Sequence, residues 1–121
     1  MSSFAEPRLY QRIRAKIAGI ILDGRVRDGD CLPSVRALAA DCDANPLTVA
    51  KAYSALQATG IIEARHGIGF FLRSGGTARL REAERAKFLS EDWPRIASEI
   101  KRLGICRSDL SFALNVSLRT H

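Results

Sequence analysis

The chain offers few residues able to make or break a covalent bond. Its histidines are His66 and His121 and its cysteines Cys31, Cys42 and Cys106, and no two of these five have the spacing of a metal-ligand or Cys-x-x-Cys redox pair. No Gly-x-x-x-x-Gly-Lys phosphate loop occurs, and Gly67-Ile68-Gly69 sits between two short apolar runs, not between a strand and a helix. A catalytic thiol needs a base beside it, and no cysteine has a histidine within several residues. Catalysis is the poorest reading, and no cofactor or metal is expected. The chemistry left is recognition. Arg36, Lys51 and Arg65 can meet phosphate or a guanine edge, and Asn45, Leu47 and Thr48 open a helix whose start suits a major groove. His66 and Gly67 lie in a turn where the backbone can approach a minor groove closely. Taken singly, residues such as Lys51 and Arg65 are more often solvated surface charges than contacts, and a loop histidine such as His66 is more often merely exposed than functional.

Those residues need a scaffold, and the periodicity supplies one. Leu9, Ile13, Ile17, Ile20 and Ile21 return to one face and predict a helix from about Arg8 to Asp23, stopped by Gly24. Asp28-Gly29-Asp30 is a turn, and Pro33 keeps Leu32 out of helical space. Ser34 caps a short second helix carrying Val35, Leu38 and Ala39 on one face. Asn45-Pro46 opens a third, cap residue then proline at the first helical position. At 100° per residue, Val49, Ala52, Tyr53 and Leu56 form its core stripe, and Leu47, Lys51, Ser54 and Ala58 point the other way. The start of this helix is expected to turn free N–H groups and a favourable dipole toward phosphate. After Gly60 the period changes: Ile61 to Arg65, a turn at His66 to Gly69, and Phe70 to Arg73 predict a β-hairpin. Phe70 and Phe71 point to opposite faces, so they cannot both enter one core.

Ser74-Gly75-Gly76-Thr77 is the linker-like stretch, dividing residues 1–75 from residues 76–121. Beyond it Ala86, Leu89, Trp93, Ile96, Ile100 and Leu103 are spaced 3, 4, 3, 4, 3, as in a coiled-coil seam. Pro94 predicts a kink, or a restart capped by Ser90. Gly104 closes the run, and Ser108-Asp109-Leu110 is positioned to cap one last short helix, with residues 115–121 expected to fray.

Composition narrows the setting. The 121 residues are 46% hydrophobic and 26% charged, values of an ordinary folded domain rather than of a disordered or disulfide-stapled chain. The net charge of +6 makes a polyanion a plausible partner, but it is evenly shared: 10 basic and 7 acidic residues up to Gly75, 9 and 6 after it. Placement, not a charged tail, has to carry recognition. The apolar run Ile17 to Leu22 is far short of the ~20 residues of a membrane span, and the first residues do not read as a signal peptide, so a cytoplasmic protein with no membrane partner is expected. An odd set of unpaired cysteines fits that compartment, with Cys42 expected as a small buried residue and Cys31 and Cys106 near element ends.

Two helices joined by a tight turn and followed by a hairpin is the order of a winged helix-turn-helix. Leu32-Pro33-Ser34-Val35-Arg36-Ala37-Leu38-Ala39, Asn45-Pro46-Leu47-Thr48-Val49-Ala50-Lys51-Ala52-Tyr53 with Leu56, Gly60-Ile61-Ile62 and Arg65-His66-Gly67-Ile68-Gly69 together resemble the N-terminal domain of GntR-family transcription regulators, over roughly residues 8–73. The short helical remainder resembles the YtrA-type subgroup of small homodimeric regulators, often repressors. The resemblance implies a mainly α fold with a small β-hairpin: a winged helix-turn-helix over residues 1–75 binding double-stranded DNA, and C-terminal dimerisation helices over residues 76–121. By it, Arg36, Thr48 and Lys51 face DNA, Asn45 starts the recognition helix, and His66 and Gly67 lie in the wing. Three positions depart from the family pattern: Asp43 stands where glycine is usual, Cys42 where a larger aliphatic is, and Phe70 where threonine is.

The seam, carrying Leu89, Trp93, Ile96, Ile100 and Leu103, has more apolar surface than a small winged domain covers, which favours a homodimer on a twofold operator over a helix folded back on its own domain. A small effector held between subunits stays open. The rival reading is a protein-interaction module that uses the same fold for assembly without specific DNA binding.

Overall fold

A computed structural model describes residues 5–119. Its elements are α1 (Ala5–Leu22), α2 (Val35–Asp41), α3 (Pro46–Ala58), β1 (Ile62–Arg65), β2 (Gly69–Leu72), α4 (Gly76–Lys87), a π-helical turn (Phe88–Asp92), α5 (Trp93–Arg102) and α6 (Arg107–Arg119). The chain divides into two compact units, one running through Ala83 and the other from Glu84 onward. The junction therefore falls inside α4, not in the glycine-containing stretch before it. Among the described residues no helix is long and apolar enough to cross a membrane.

In the first unit the apolar stripes read from the sequence meet. Ile13, Ile17 and Ile21 of α1, Leu38 of α2, Val49, Ala52, Tyr53 and Leu56 of α3, Ile62 of β1 and Leu72 of β2 are buried in one core. Each large side chain moved out of water here contributes about 1.5–3 kcal/mol before the entropy of ordering it is subtracted. The hairpin pairs Ile62 with Leu72, Glu63 with Phe71, Ala64 with Phe70 and Arg65 with Gly69. Its free edge is extended by the segment before α2: Leu32 N–H donates to the Phe70 carbonyl at 2.8 Å, and Leu72 N–H to that of Asp30 at 2.9 Å. The two phenylalanines separate as the alternation requires. Phe70 turns to the core side and lies against Tyr53, ring centroids 5.0 Å apart, whereas Phe71 lies on the outer face under the Arg65 guanidinium.

Tyr53 joins three elements. Its ring contacts β2, and its hydroxyl donates to the Pro33 carbonyl at 2.6 Å, just before α2. Burial, reinforced by the nearby Cys31 and Cys42, pushes the phenol up to about 12, so it remains a donor at any ordinary pH. Asp43, in the turn between α2 and α3, takes φ 50°, the left-handed conformation for which glycine is the usual solution and aspartate a tolerated one. Cys42 is half-buried beside the core, and Cys31 and Cys106 are exposed.

The start of α4 belongs to the first core, where Leu80 is fully buried. Gly76 makes this possible: a methyl group there would run into the Ile61 carbonyl oxygen and come within 2.9 Å of Leu72 Cδ1. Asp28 fastens the same junction, its carboxylate accepting the Thr77 hydroxyl at 2.7 Å and the Gly75 and Thr77 N–H groups at 2.8 and 3.2 Å. The Thr77 hydroxyl first, then those amides, hold its carboxyl below the ordinary value.

In the second unit the helix restarts around Pro94, but at Trp93 and not with Ser90 as its cap. The chain widens into the π turn, where the Trp93 N–H reaches back to the Phe88 carbonyl, and α5 begins at Trp93 with Pro94 in its first turn. The proline ring and its missing N–H are accommodated by that wider turn. The last helix runs further than expected, through Arg119, and of Ser108-Asp109-Leu110 it is Asp109 that makes the capping bond. Asp109 accepts the Cys106 N–H at 3.2 Å and the Cys106 thiol at 3.0 Å, and these bonds lower its carboxyl below the ordinary value. Thr120 and His121 lie outside the described residues.

Candidate nucleic-acid interface

The surface of α3 opposite the core is built by its cap. Asn45 Oδ1 accepts the Leu47 N–H at 2.9 Å, and the Asn45 carbonyl accepts those of Thr48 and Val49 at 3.0 and 3.3 Å. Pro46 has no N–H to offer. The expected row of free amides at this helix start is therefore absent: every donor from Leu47 to Val49 is already bonded, and only the dipole is left to favour an anion. Recognition here falls to side chains.

Leu47 is 73% exposed, and Lys51 and Ser54 follow it on the outer face. Thr48 corrects the sequence reading. It is only 7% exposed, because it stands one turn before Ala52 and so falls on the edge of the buried stripe. Arg36, in the first turn of α2, is exposed; the Ser34 hydroxyl caps that helix by accepting the Ala37 N–H at 3.0 Å. Contacts of α3 with α2 and β1 hold the helix pair and the hairpin as parts of one packed unit.

At the hairpin tip the Ile68 N–H returns to the Arg65 carbonyl at 3.0 Å, and Gly67 has the φ of 78° that the third residue of a type II turn requires. His66, Gly67 and Ile68 are exposed, Ile68 at 68%. Arg65 is not extended into solvent with them. Its guanidinium carbon sits 4.0 Å from the Phe71 ring centroid, and Nη2 bonds Glu63 Oε1 at 3.2 Å. Glu63, Arg65 and Phe71 share the outer face of the hairpin, an arrangement that two-residue alternation makes readable in retrospect. Ile68 is the candidate the sequence reading passed over; an apolar residue at the tip of a glycine-flanked turn was its signal. Among the described residues no group of three or more His, Cys, Asp or Glu side chains is placed to hold a metal ion.

Residues 9–72 match the model of the bacterial regulatory proteins of the gntR family. The chain belongs to the GntR family. The HTH-type transcriptional repressor YtrA of Bacillus subtilis is 40% identical over 76 residues, 63% of this GntR chain and 58% of that protein. A solved GntR family transcriptional regulator from Listeria monocytogenes is 33% identical, covers 88% of this chain and 91% of its own, and superposes with a TM-score of 0.70. The S. agalactiae protein BusR, solved in complex with its busA-promotor DNA, shares the fold at 22% identity and a TM-score of 0.61, covering 92% of this chain and 57% of its own. The family is one of bacterial regulatory proteins, and the first two of these relatives are a transcriptional repressor and a transcriptional regulator.

Proposed function

We propose that this GntR protein is a cytoplasmic, sequence-specific repressor that binds an inverted-repeat operator as a homodimer and blocks transcription by occupying it. The observation that carries the reading is the outer face of α3, where Leu47, Lys51 and Ser54 stand exposed opposite the buried Val49, Tyr53 and Leu56. In this reading α3 lies in the major groove with Lys51 on phosphate or base. Arg36 reaches the backbone from α2, Asn45 contributes its remaining amide N–H donors, and Thr48 contributes only its rim. The wing offers His66 and the Gly67 backbone to the adjacent minor groove, and Arg65 joins them by leaving Phe71 and Glu63. Leu89, Trp93, Ile96, Ile100 and Leu103 then meet a second copy. Twofold DNA sites and twofold proteins mirror each other, so half-site centres stand ~34 Å or a multiple apart.

Binding to the DNA upstream of the protein's own operon, followed by fluorescence anisotropy, tests this. A clear preference over random duplex is expected at ~0.15 M salt, where non-specific binding is weak. Arg36→Ala and Lys51→Ala should each weaken it, and if Lys51 bonds phosphate its loss flattens the salt dependence by about one unit of slope. An interaction module would bind no duplex preferentially and would be indifferent to both substitutions; that result ends the repressor reading.

A further inference from the structure

We infer that Leu47 reads the 5-methyl group of a thymine in each operator half-site, making this leucine a specificity-determining residue. The inference rests on the proposal that α3 enters the major groove. Its premises are what the start of α3 can and cannot do. The backbone donors there are spent: Pro46 has none, and Asn45 takes up those of Leu47, Thr48 and Val49. Asn45 has its side chain held across the helix start by the Leu47 N–H, which leaves one Oδ1 lone pair and the Nδ2 donors for polar contacts and nothing for an apolar one. Thr48 is only 7% exposed, at the edge of the buried stripe. What the first turn and a half presents is Pro46, Leu47 and the half-buried Ala50, lying within about 100° of one another around the axis.

A base edge in the major groove has one apolar group to match such a surface, the methyl of thymine. An exposed leucine is unremarkable by itself. This one stands second in the helix, on the face opposite the core, with no hydrogen-bonding side chain closer than Lys51 along the same face. Burying it against a methyl recovers apolar area on both partners, whereas cytosine or uracil at that position leaves it against a bare ring edge.

The test uses the full chain and a duplex enriched by it from a random library, with each thymine replaced in turn by uracil, which removes the methyl and keeps base pairing. One thymine per half-site is expected to matter, with affinity falling about three- to fivefold per half-site on replacement, the worth of one buried methyl group. Leu47→Ala keeps a good helix former at an exposed position, and an unchanged melting temperature verifies the fold. In that variant the same thymine and uracil duplexes should bind within about twofold of each other, each near the wild-type affinity for uracil. An enriched duplex whose thymines can all be replaced without cost overturns the inference alone, as does a Leu47→Ala variant that keeps the full discrimination. A library from which nothing is enriched overturns the underlying DNA reading and this inference with it.

Discussion

The two units of this chain bury their apolar residues in opposite ways. Every buried side chain among the described residues lies before Glu84, in a core that closes on itself around Ile17, Val49, Tyr53 and Leu72. Of the ten large hydrophobic residues left exposed among the described residues, eight lie after it, among them Trp93, Leu103 and Phe112. The first unit is complete as a fold, with surface to spare for a ligand at Leu47 and Ile68. The second has helices but no core of its own. Apolar surface on that scale is the signature of a face covered by something else, which is why a second copy is proposed for it.

The contrast is sharpest for truncation of large side chains. Ile17→Ala should cost about 2–5 kcal/mol, because a buried methyl cluster is lost and a cavity is left in a core with little room to collapse. Trp93→Ala removes more atoms, yet Trp93 is 44% exposed and should leave the melting of the dilute first unit unchanged while lowering the mass of the protein in solution toward that of one chain. Chemical denaturation of both variants, with sedimentation of the second, makes the comparison. If Trp93→Ala destabilises the monomer as Ile17→Ala does, the two units are not built differently after all.

Tyr53→Phe is a finer probe of the first unit. The ring and its packing on Phe70 stay, but the part-buried Pro33 carbonyl loses its donor, at a cost of about 0.5–1.5 kcal/mol. Because that bond ties α3 to the entry of α2, DNA affinity should fall along with stability. A loss of stability with DNA affinity unchanged would show that the bond does not position the helix pair.

The same division explains what could be read in the sequence. Ser34, Asn45-Pro46 and the glycines of the hairpin turn act within a few residues of themselves, and they marked the starts of α2 and α3 and the wing correctly. The fate of Thr48 depended on a small angular difference at the rim of a stripe, finer than a face-by-face reading resolves. In the second unit the local signals conflict. Pro94 demanded a break, and the 3,4 spacing of Leu89, Trp93, Ile96, Ile100 and Leu103 concealed that it would be met by a π turn. Leu110, Phe112, Leu114, Val116 and Leu118 alternate with period two, a pattern that suits a strand, yet Asp109 caps a helix there. Wound as a helix, that alternation places apolar residues on two sides, and neither side was legible without a partner to define it. Arg65 at a turn edge reads as a solvated charge or a groove contact, and only the paired strands bring Phe71 and Glu63 to engage it.

One carboxylate in each unit fastens a helix start, and acid should separate them. Asp28 and Asp109 are both held below the ordinary value of 3.8, so each favours the folded form above that value, and its contribution fades as pH falls through the lower, folded-state value. Both groups lie at the surface, so the effect is small and screened by salt. Asp28 ties the loop after α1 to the start of α4, inside the cooperative core, so Asp28→Asn should flatten the fall in melting temperature between about pH 4 and pH 2 relative to the native chain. Asparagine cannot titrate; its Oδ1 can keep the Thr77 bonds, but its NH2 cannot accept the Gly75 N–H, so the variant starts from a somewhat lower melting temperature and is read by the slope of its pH dependence. Asp109 caps a helix with no buried residue, so Asp109→Asn should leave that melting curve alone and alter only how the helical circular dichroism of the chain changes with acid before the transition. Parallel melting curves for the native chain and Asp28→Asn would mean that the bonds to Gly75 and Thr77 add nothing to the cooperative unit, and the boundary between the two units would then belong before α4 instead of within it.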